Sequence, residues 1–500
     1  MADAKREIER KYESDDSGLP DLTGVGGVAA VLDKGLVELD AVYYDTADER
    51  LTAASLTLRR RTGGSDAGWH LKFPVAPGVR DEIRAPLSDS IPEEIAALVR
   101  SRVRDRVLAP LVRLRSARDV RHLVDAEGTL LAEASVDTVT AARSTGEGGA
   151  AQWTEIEVEL ADGGDPAFLD QVEKRLRKAG VRPSASPSKL ARALEQTRPG
   201  RHGKKPRPAR PTTAGDHVLA YLRAQRDVLV ELDPAVRRDI PDSVHRMRVA
   251  TRRARSTLRT FRNVLDRTVT DPVAAELKWL AGELGVDRDQ EVLAERLTTA
   301  LDALPPALVT GPVAERLASW AEIRRGGAHA HLTGVLDSRR YLTLLDTLDT
   351  LLTGPPLRKA AGKKPGKVLD KAVRKDLAKL SALVEQALEL PPGEDRDHAL
   401  HEARKKAKRT RYAAEAVTDA LGTPAASLTK SMKSLTTLLG EHQDSVMARH
   451  TLRELSAVAH ATGEDTFTYG LLYGREEAGA ARTEAELPAR WKKIRSGADG

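Results

Sequence analysis

Hydrophobic and polar residues alternate with a period of two in six short stretches of the first 160 residues. They are EIERKYE from Glu7, LTLRRR from Leu56, WHLKFP from Trp69, DEIRAPL from Asp81, LLAEASVD from Leu130 and WTEIEVEL from Trp153. That period predicts β-strands. Pro92–Ser101 and Pro166–Ala179 interrupt it with helical stretches. From about residue 216 the pattern becomes helical, in long Leu/Ala/Arg-rich segments with short breaks. Between the two regimes, Thr197–Gly215 carries six Arg or Lys, four Pro and no acid, which predicts an extended, solvated linker. LRKAAGKKPGK, from Leu357, reads as a second flexible connector that halves the helical region. The expected fold class is α+β multidomain: a strand-rich domain over 1–197, a basic Pro-rich linker over 198–215, and an all-α domain over 216–495. The all-α domain divides into about 216–355 and 368–495.

Charge placement refines the strands. Glu7, Glu9 and Lys11 point to one side of their strand, as do Glu155, Glu157 and Glu159 of another and Arg59 and Arg61 of a third. Like charges on one face repel unless something lies between them, so this face is not a dry core. A closed or strongly curved sheet with a polar lumen accommodates it. In such a lumen the carboxylates of Glu7, Glu9, Glu157 and Glu159 suit a hard cation such as Mg²⁺ or Mn²⁺. Arg59, Arg61, Lys72, Arg118 and Lys189 suit phosphoryl oxygens. No general base stands out, and His70 reads as a structural or surface histidine.

The helices carry a repeated basic face. HRMRVATRRAR from His245 and HEARKKAKRTR from His401 share the pattern H-x-x-R-x-x-x-[RK]-R-x-R, 156 residues apart. His245, Arg248, Arg252, Arg255 and Arg259 fall on one helical face, and His401, Arg404, Lys408 and Arg411 on another. Leu284-Gly285, followed by Asp289, recurs as Leu439-Gly440, followed by Asp444, 155 residues on. Two motifs at nearly one offset indicate internal duplication. Cations stacked in this way need a compensating partner. Aromatics make up only 3% of the chain, and neither motif supplies base-reading side chains apart from Tyr412, so sequence-specific nucleic-acid binding is not expected. A long polyanion that asks only for phosphate contacts fits better.

Composition adds exclusions. The net charge of +6 is mild, so the information lies in clustering. With no cysteine, disulfides, zinc-thiolate sites and cysteine nucleophiles are excluded. No apolar run approaches a membrane span and no signal peptide opens the chain, which leads to an expected cytoplasmic location without membrane association.

Over residues 1–197 the chain resembles the CYTH domains, the triphosphate tunnel metalloenzymes. Glu7-x-Glu9-x-Lys11, YYDTADERLTAASLTLRRR, WHLKFP, the late acidic strand and PSKLARAL carry the likeness. The resemblance implies an eight-stranded antiparallel tunnel, a divalent metal and hydrolysis of triphosphate-containing substrates. It places Glu7 and Glu9 at the metal, with Glu157 and Glu159 across the tunnel and Asp137 at a matching acidic position. Lys11, Arg59, Arg61, Lys72 and Lys189 would bind triphosphate. Glu82 matches a further tunnel position, and Arg118 matches the middle-strand arginine with Arg113 and Arg115 as competitors. Glu7, Glu9, Lys11 and Lys72 form the expected catalytic set.

Over about 213–495 the chain resembles the CHAD domain, the conserved histidine α-helical domain, on VHRMRVATRRARSTLRTF, LHEARKKAKRTRYAAEA and the Leu-Gly segments. The resemblance implies two four-helix bundles related by a pseudo-two-fold axis and a basic groove for inorganic polyphosphate. The groove would hold His245, Arg248, Arg252, Arg255, His401, Arg404, Lys408 and Arg411. Arg253 and Arg409 would flank it, and Lys278, Arg288, Arg340 and Lys433 are possible additions. The histidines would hydrogen-bond phosphate or cap their helices rather than ligate metal. The combined expectation is a polyphosphate-binding protein whose tunnel is a metal-dependent phosphatase for tripolyphosphate or polyphosphate ends, with a place on polyphosphate granules. A non-catalytic granule-targeting protein and an enzyme for an organic triphosphate, thiamine triphosphate or ATP, remain open.

Overall fold

The computed structural model describes residues 3–14, 18–144, 149–197, 210–325 and 327–499, with the side chains of 3, 286–290, 324, 325, 328, 498 and 499 outside the description. Most of the linker, 198–209, and the side chains of Arg288 and Asp289 therefore lie outside the described residues. The chain forms two compact units, divided at residues 206 and 207. Among the described residues no helix is long and apolar enough to cross a membrane.

The first unit is a closed barrel of β1 (Asp3–Glu13), β2 (Ala30–Asp45), β3 (Thr57–Thr62), β4 (Gly68–Ala76), β5 (Val79–Ala85), β6 (Ala109–Val124), β7 (Leu130–Arg143) and β8 (Ala150–Leu160). All pairings are antiparallel, in the order β1-β5-β4-β3-β2-β6-β7-β8. Helices α1 (Arg50–Ala53), α2 (Glu93–Val103), α3 (Ala167–Lys178) and α4 (Lys189–Thr197) complete it. Alternation sorts each strand. The outward apolar side chains Ile8, Tyr12, Ala132, Ala134, Ile156 and Val158 pack beneath Phe168, Leu169, Val172 and Leu176 of α3. Leu58, Trp69, Leu71 and Ile83 pack beneath Ile95, Leu98 and Val99 of α2.

The inward positions change character along the barrel. Toward one end they are charged; toward the other they are Tyr43, Val112, Leu114, Val139 and Trp153, which pack against Leu190, Ala193 and Leu194 of α4. Helix α4 thus closes an apolar end of the barrel, while Lys189, its first residue, reaches the polar interior.

The second unit is helical: α5 (Ala214–Arg237), α6 (Ser243–Thr260), α7 (Arg267–Glu283), α8 (Val286–Asp302), α9 (Val313–Arg325), α10 (Ala328–Asp337), α11 (Arg339–Thr353), α12 (Pro365–Glu389), α13 (Glu394–Ala416), α14 (Thr418–Leu421), α15 (Thr423–Ala461) and α16 (Phe467–Asp499). Helix α5 begins in a reciprocal capping box, Thr213 with Asp216. Helices α5, α6, α7 and α11 share one core, and α12, α13, α15 and α16 another. A third apolar cluster joins them, with Leu297, Leu301 and Leu317 of α8 and α9 packed against Leu452 and Leu455 of α15 and Leu472 of α16. The segment LRKAAGKKPGK is docked rather than flexible. Ala361 is buried, its carbonyl accepts from Gly215 N (2.9 Å), and Arg358 N donates to Val264 O (2.9 Å). Satisfying the backbone groups at the start of α5 is what orders it.

Reciprocal bonds clamp α6 to α13. Arg253 Nε donates to Glu415 Oε2 (2.9 Å), and Tyr221 also donates to that oxygen (3.3 Å). In the other direction Arg409 Nη2 donates to Arg259 O (2.9 Å) and Arg409 Nε to Thr260 Oγ1 (3.3 Å). Arg253 and Arg409 are counterparts, 156 residues apart, and so are Arg259 and Glu415. Residue i meets j while the copy of i meets the copy of j, the mark of a local pseudo-two-fold relation. Buried Asp376 anchors the second contact, accepting from Thr260 Oγ1 (2.7 Å) and Lys406 Nζ (2.5 Å) and ion-paired with Arg409 (Nε at 3.0 Å). Arg253 and Arg409, expected to flank a ligand, are therefore clamp residues. They lie about 100° round their helices from the basic face, on the side that meets the partner repeat.

Asp376 is held below the usual carboxylate range: burial opposes this, but Lys406, Thr260 and Arg409 outweigh it. A carboxyl with a depressed folded pKa contributes stability above its unfolded value, lost as pH falls through the folded one. Asp376→Ala should therefore destabilise the helical unit by on the order of 3–5 kcal/mol at pH 7, because two buried cations lose their anion. Urea unfolding should show the gap to wild type closing as pH falls below about 4.

Candidate functional site

Two sites emerge, one in each unit. The barrel encloses a cavity of about 550 Å³ lined by Lys5, Glu7, Glu9, Lys11, Lys34, Arg59, Arg61, Lys72, Arg80, Arg84, Arg118, His122, Glu133, Glu157, Glu159 and Lys189 among others. Register explains the gathering. Glu9 of β1 faces Glu159 of β8, which faces Glu133 of β7, so three carboxylates form one row across three strands. The row below is Lys11 with Glu157. On the other side of β1, Lys5 faces Glu82 of β5, which faces Lys72 of β4, which faces Thr57 of β3.

The charges are tightly paired. Lys72 Nζ lies 2.5 Å from Glu7 Oε2 and 3.4 Å from Glu82 Oε1. Lys11 Nζ contacts Glu9 Oε2 (2.9 Å) and bonds to Glu157 Oε1. Lys5 Nζ bonds to Glu159 Oε1 (3.0 Å). Arg61 pairs with Asp66, and Arg59 Nη1 donates to the Tyr43 hydroxyl (3.4 Å). Burial works against every charge here. It raises the Glu7 carboxyl pKa despite Lys72, and with Arg59 and Arg118 it brings Arg61 down to about 9. Burial likewise opposes ionisation of Glu157, yet Lys11, Lys189 and Arg118 hold its carboxyl well below the ordinary range.

Two acidic positions sit in the wall rather than the lumen. Glu82 is fully buried and accepts from His70 Nδ1 (2.8 Å) and Arg84 Nε (2.5 Å). An anion so engaged orients Lys72, Arg59 and Arg84 and does not itself meet a phosphate, which corrects its expected place among the substrate contacts. His70 spends both ring nitrogens in the wall, on Glu82 and on Asp66 O (2.9 Å), and is structural, as expected. Asp137 is also fully buried, paired with Arg118 through Nε (2.7 Å) and Nη2 (2.9 Å).

Asp137, Glu155 and Glu157 bring ligand atoms within 4.8 Å of one another, close enough to surround a cation. Lys189 Nζ already stands among them, 2.8, 2.8 and 2.6 Å away. An ammonium thus fills the position that a metal would take, so Asp137 and Glu157 serve the lysine. The row Glu9–Glu159–Glu133 also presents carboxylates to the cavity, and a cation entering there would displace Lys11 from Glu9 and Lys5 from Glu159. Arg113 and Arg115 point outward to Asp40, leaving Arg118 as the tunnel arginine. Lys5, Arg80, Arg84 and Glu133 were missed. The signal was present in parity: Lys5, Arg80 and Arg84 each lie two residues from an inward residue already identified, and Glu133 lies four from Asp137.

In the helical unit α6 and α13 bring Arg248, Arg252, Arg404, Lys408 and Arg411 together. Lys408 reports the crowding: burial, then Arg404, Arg252, Arg248 and Arg411, push its ammonium pKa down to about 7. Burial, Arg259, Arg252 and Arg409 lower Arg255 in the same way. Asp444 Oδ1 lies 3.9 Å from Arg404 Nη2, and burial pushes the Asp444 carboxyl up. Arg411 lies over the Tyr412 ring (4.9 Å), with Glu415 Oε1 at 3.5 Å. His401 bonds through Nδ1 to Gln443, and His245 is exposed at the start of α6. Arg340 is committed elsewhere, paired with Glu276 (2.6 Å) above Trp279.

Residues 5–194 match the CYTH domain family and residues 220–453 the CHAD domain family. The uncharacterized proteins Rv2226 and MT2285 of Mycobacterium tuberculosis are each 40% identical over 504 aligned positions, covering 98% of this chain and 96% of theirs. Among solved structures, PptA from Streptomyces chartreusis is similar at 23% identity and TM-score 0.47, covering 56% of this chain and 100% of its own. The CHAD domain of the plant Ricinus communis is similar at 24% identity and TM-score 0.43, covering 58% and 92%. A closed eight-stranded barrel with a charged lumen, followed by a duplicated helical unit with a shared basic face, places the chain in the CYTH–CHAD family.

Proposed function

We propose that the barrel is a divalent-metal-dependent phosphatase for tripolyphosphate or the ends of inorganic polyphosphate, and that the α6–α13 face holds the polyphosphate chain. The observation that carries the first part is a closed lumen in which Lys5, Lys11, Arg59, Lys72, Arg80 and Arg84 surround a row of carboxylates. In this reading Glu9, Glu159 and Glu133, with Glu7 beside them, hold Mg²⁺ or Mn²⁺. Bound there, the ion supplies charge neutralisation on the phosphoryl group and a polarised water. Lys72 and Lys11 exchange their carboxylate partners for phosphoryl oxygens. Arg59, which Glu82 and Tyr43 position, and Arg61 bind the remaining charge, so catalysis rests on orientation and preorganised electrostatics.

Full-length protein with Mg²⁺ or Mn²⁺ should release phosphate from tripolyphosphate, and Glu9→Gln/Glu159→Gln should reduce the rate by about 10²–10³-fold. No release by wild type from tripolyphosphate or long-chain polyphosphate would sink the enzyme reading. It would favour a tunnel that binds without cleaving, an alternative consistent with the mutual neutralisation of Lys11 with Glu9 and Lys72 with Glu7. Release confined to thiamine triphosphate or ATP in the same assay would point to an organic substrate, for which Val37, Leu39, Val120 and Leu130 offer an apolar lane along the lumen.

For the helical face, symmetry favours polyphosphate over nucleic acid. Arg248, Arg252 and Arg255 correspond to Arg404, Lys408 and Arg411 across the pseudo-two-fold relation. A ligand matched to both halves reads the same in either direction, as a linear phosphate polymer does and a nucleic-acid strand does not. Lys408 gives the pH dependence. Its folded pKa is lowered, so the repulsion that it adds is fully present below about pH 7 and is relieved as pH rises toward its ordinary value. An anion among these cations restores the proton. Polyphosphate binding should therefore tighten as pH falls from 8.5 to 7 and take up about one proton at pH 8. Calorimetry in buffers of different ionisation enthalpy measures this, and Lys408→Gln should abolish the uptake. If binding raises the local concentration of chain ends at the tunnel, Arg248→Glu/Arg404→Glu should slow release from long chains and leave tripolyphosphate unaffected.

A further inference from the structure

The repeated Leu-Gly pair is the motif that the groove has not yet absorbed. Gly285 lies at the junction of α7 and α8, and Gly440 lies within the unbroken α15. Backbone geometry does not ask for glycine at either place. Gly285 has φ −107° and ψ −17°, open to any L-residue, and inside a helix glycine is less favourable than alanine. What lies above Gly285 does ask for it. A Cβ at Gly285 would stand 2.8 Å from Arg248 Nη2, 2.9 Å from Cζ and 3.0 Å from Nε, so the guanidinium lies flat across the position a side chain would take. At Gly440 a Cβ would meet the edge of the Arg404 guanidinium at ordinary contact distance, with Nη2 at 3.5 Å and Nε at 3.8 Å. Arg248 and Arg404 are counterparts in the two signature helices, and the two glycines are counterparts on the helices that face them.

We propose that Gly285 is a positioning residue of the groove, a seat without a side chain on which Arg248 of the facing signature helix lies flat. A guanidinium carries its donors in its plane. Laying that plane on bare backbone fixes the direction of the donor edge before the ligand arrives and reduces the side-chain ordering that binding would otherwise require. The second repeat lacks the seat: at 2.8 Å an added methyl group must displace Arg248, whereas at 3.5 Å it makes ordinary contact with Arg404. This inference rests on the polyphosphate reading of the groove.

The test uses full-length wild type, G285A, G440A, R248A and G285A/R248A, with fluorescently labelled long-chain polyphosphate followed by anisotropy over a range of salt, and thermal unfolding of each variant. G285A should bind about tenfold more weakly, and its slope of log K against log salt should shrink by about one phosphate contact. Its Tm should stay within a few degrees of wild type, because the group displaced is the end of a flexible side chain and alanine costs only modestly at the N-cap. G440A should stay within about twofold of wild type, and G285A should add nothing in the R248A background. A wild type that binds no polyphosphate overturns the groove reading itself. If wild type binds, G285A affinity equal to it, a loss that adds to that of R248A, or a loss explained by partial unfolding at the assay temperature overturns the seat.

Discussion

Charge compensation inside a poorly solvated volume is the constraint on which both units depend, and they meet it in opposite ways. In the barrel each buried ion has its counter-ion in the protein. Lys189 stands among Asp137, Glu155 and Glu157, Lys72 lies against Glu7, and Glu82 collects His70, Arg84 and Lys72. Such pairs contribute little net stability but fix geometry, since removing either partner strands a buried charge. On the α6–α13 face cations crowd one another, and the crowding appears as a lysine whose pKa has fallen to about 7. One unit holds a network of close ion pairs. The other holds like charges side by side.

The parity of the strands made most of the barrel site legible. A period of two puts Glu7, Glu9 and Lys11 on one side, and in a closed sheet that side is the lumen. Parity carries no information about depth along the barrel axis. Trp153 shares its parity with Glu155, Glu157 and Glu159 yet packs under α4, and Asp137 and Glu82 point inward but lie beneath the cavity surface. Depth depends on which strands become neighbours and on where α4 inserts, and both follow from pairing between distant segments. Glu133 shows this best: its place beside Glu159 and Glu9 exists only once β7, β8 and β1 are in register.

On the helices the basic face was legible because residues at steps of three and four stay together whatever the helix packs against. The flanking positions were not. Arg253 and Arg409 look like two more cations of the motif, but 100° of rotation turns them onto the opposing repeat, where Glu415, Thr260 and Asp376 receive them. The segment LRKAAGKKPGK illustrates a related limit. Its composition fits a flexible connector, but the unpaired backbone groups at the start of α5 recruit it, and no local pattern encodes that demand.

Duplication alone would give two equal halves, and the departures from equality are where specific chemistry enters. Lys408 stands where the first copy has Arg252, which turns one half of the basic face into a group that titrates near neutrality while the other half stays charged. The helix that passes unbroken through Gly440 is broken at Gly285, and α8 then leaves its own bundle to pack with α9, α15 and α16. That third core ties each repeat to the other at a distance from the α6–α13 clamp. Two attachment points, the polar clamp and the apolar cluster, constrain the angle between the signature helices more than either does alone. The spacing of the cations on those helices therefore depends on packing that contains none of them.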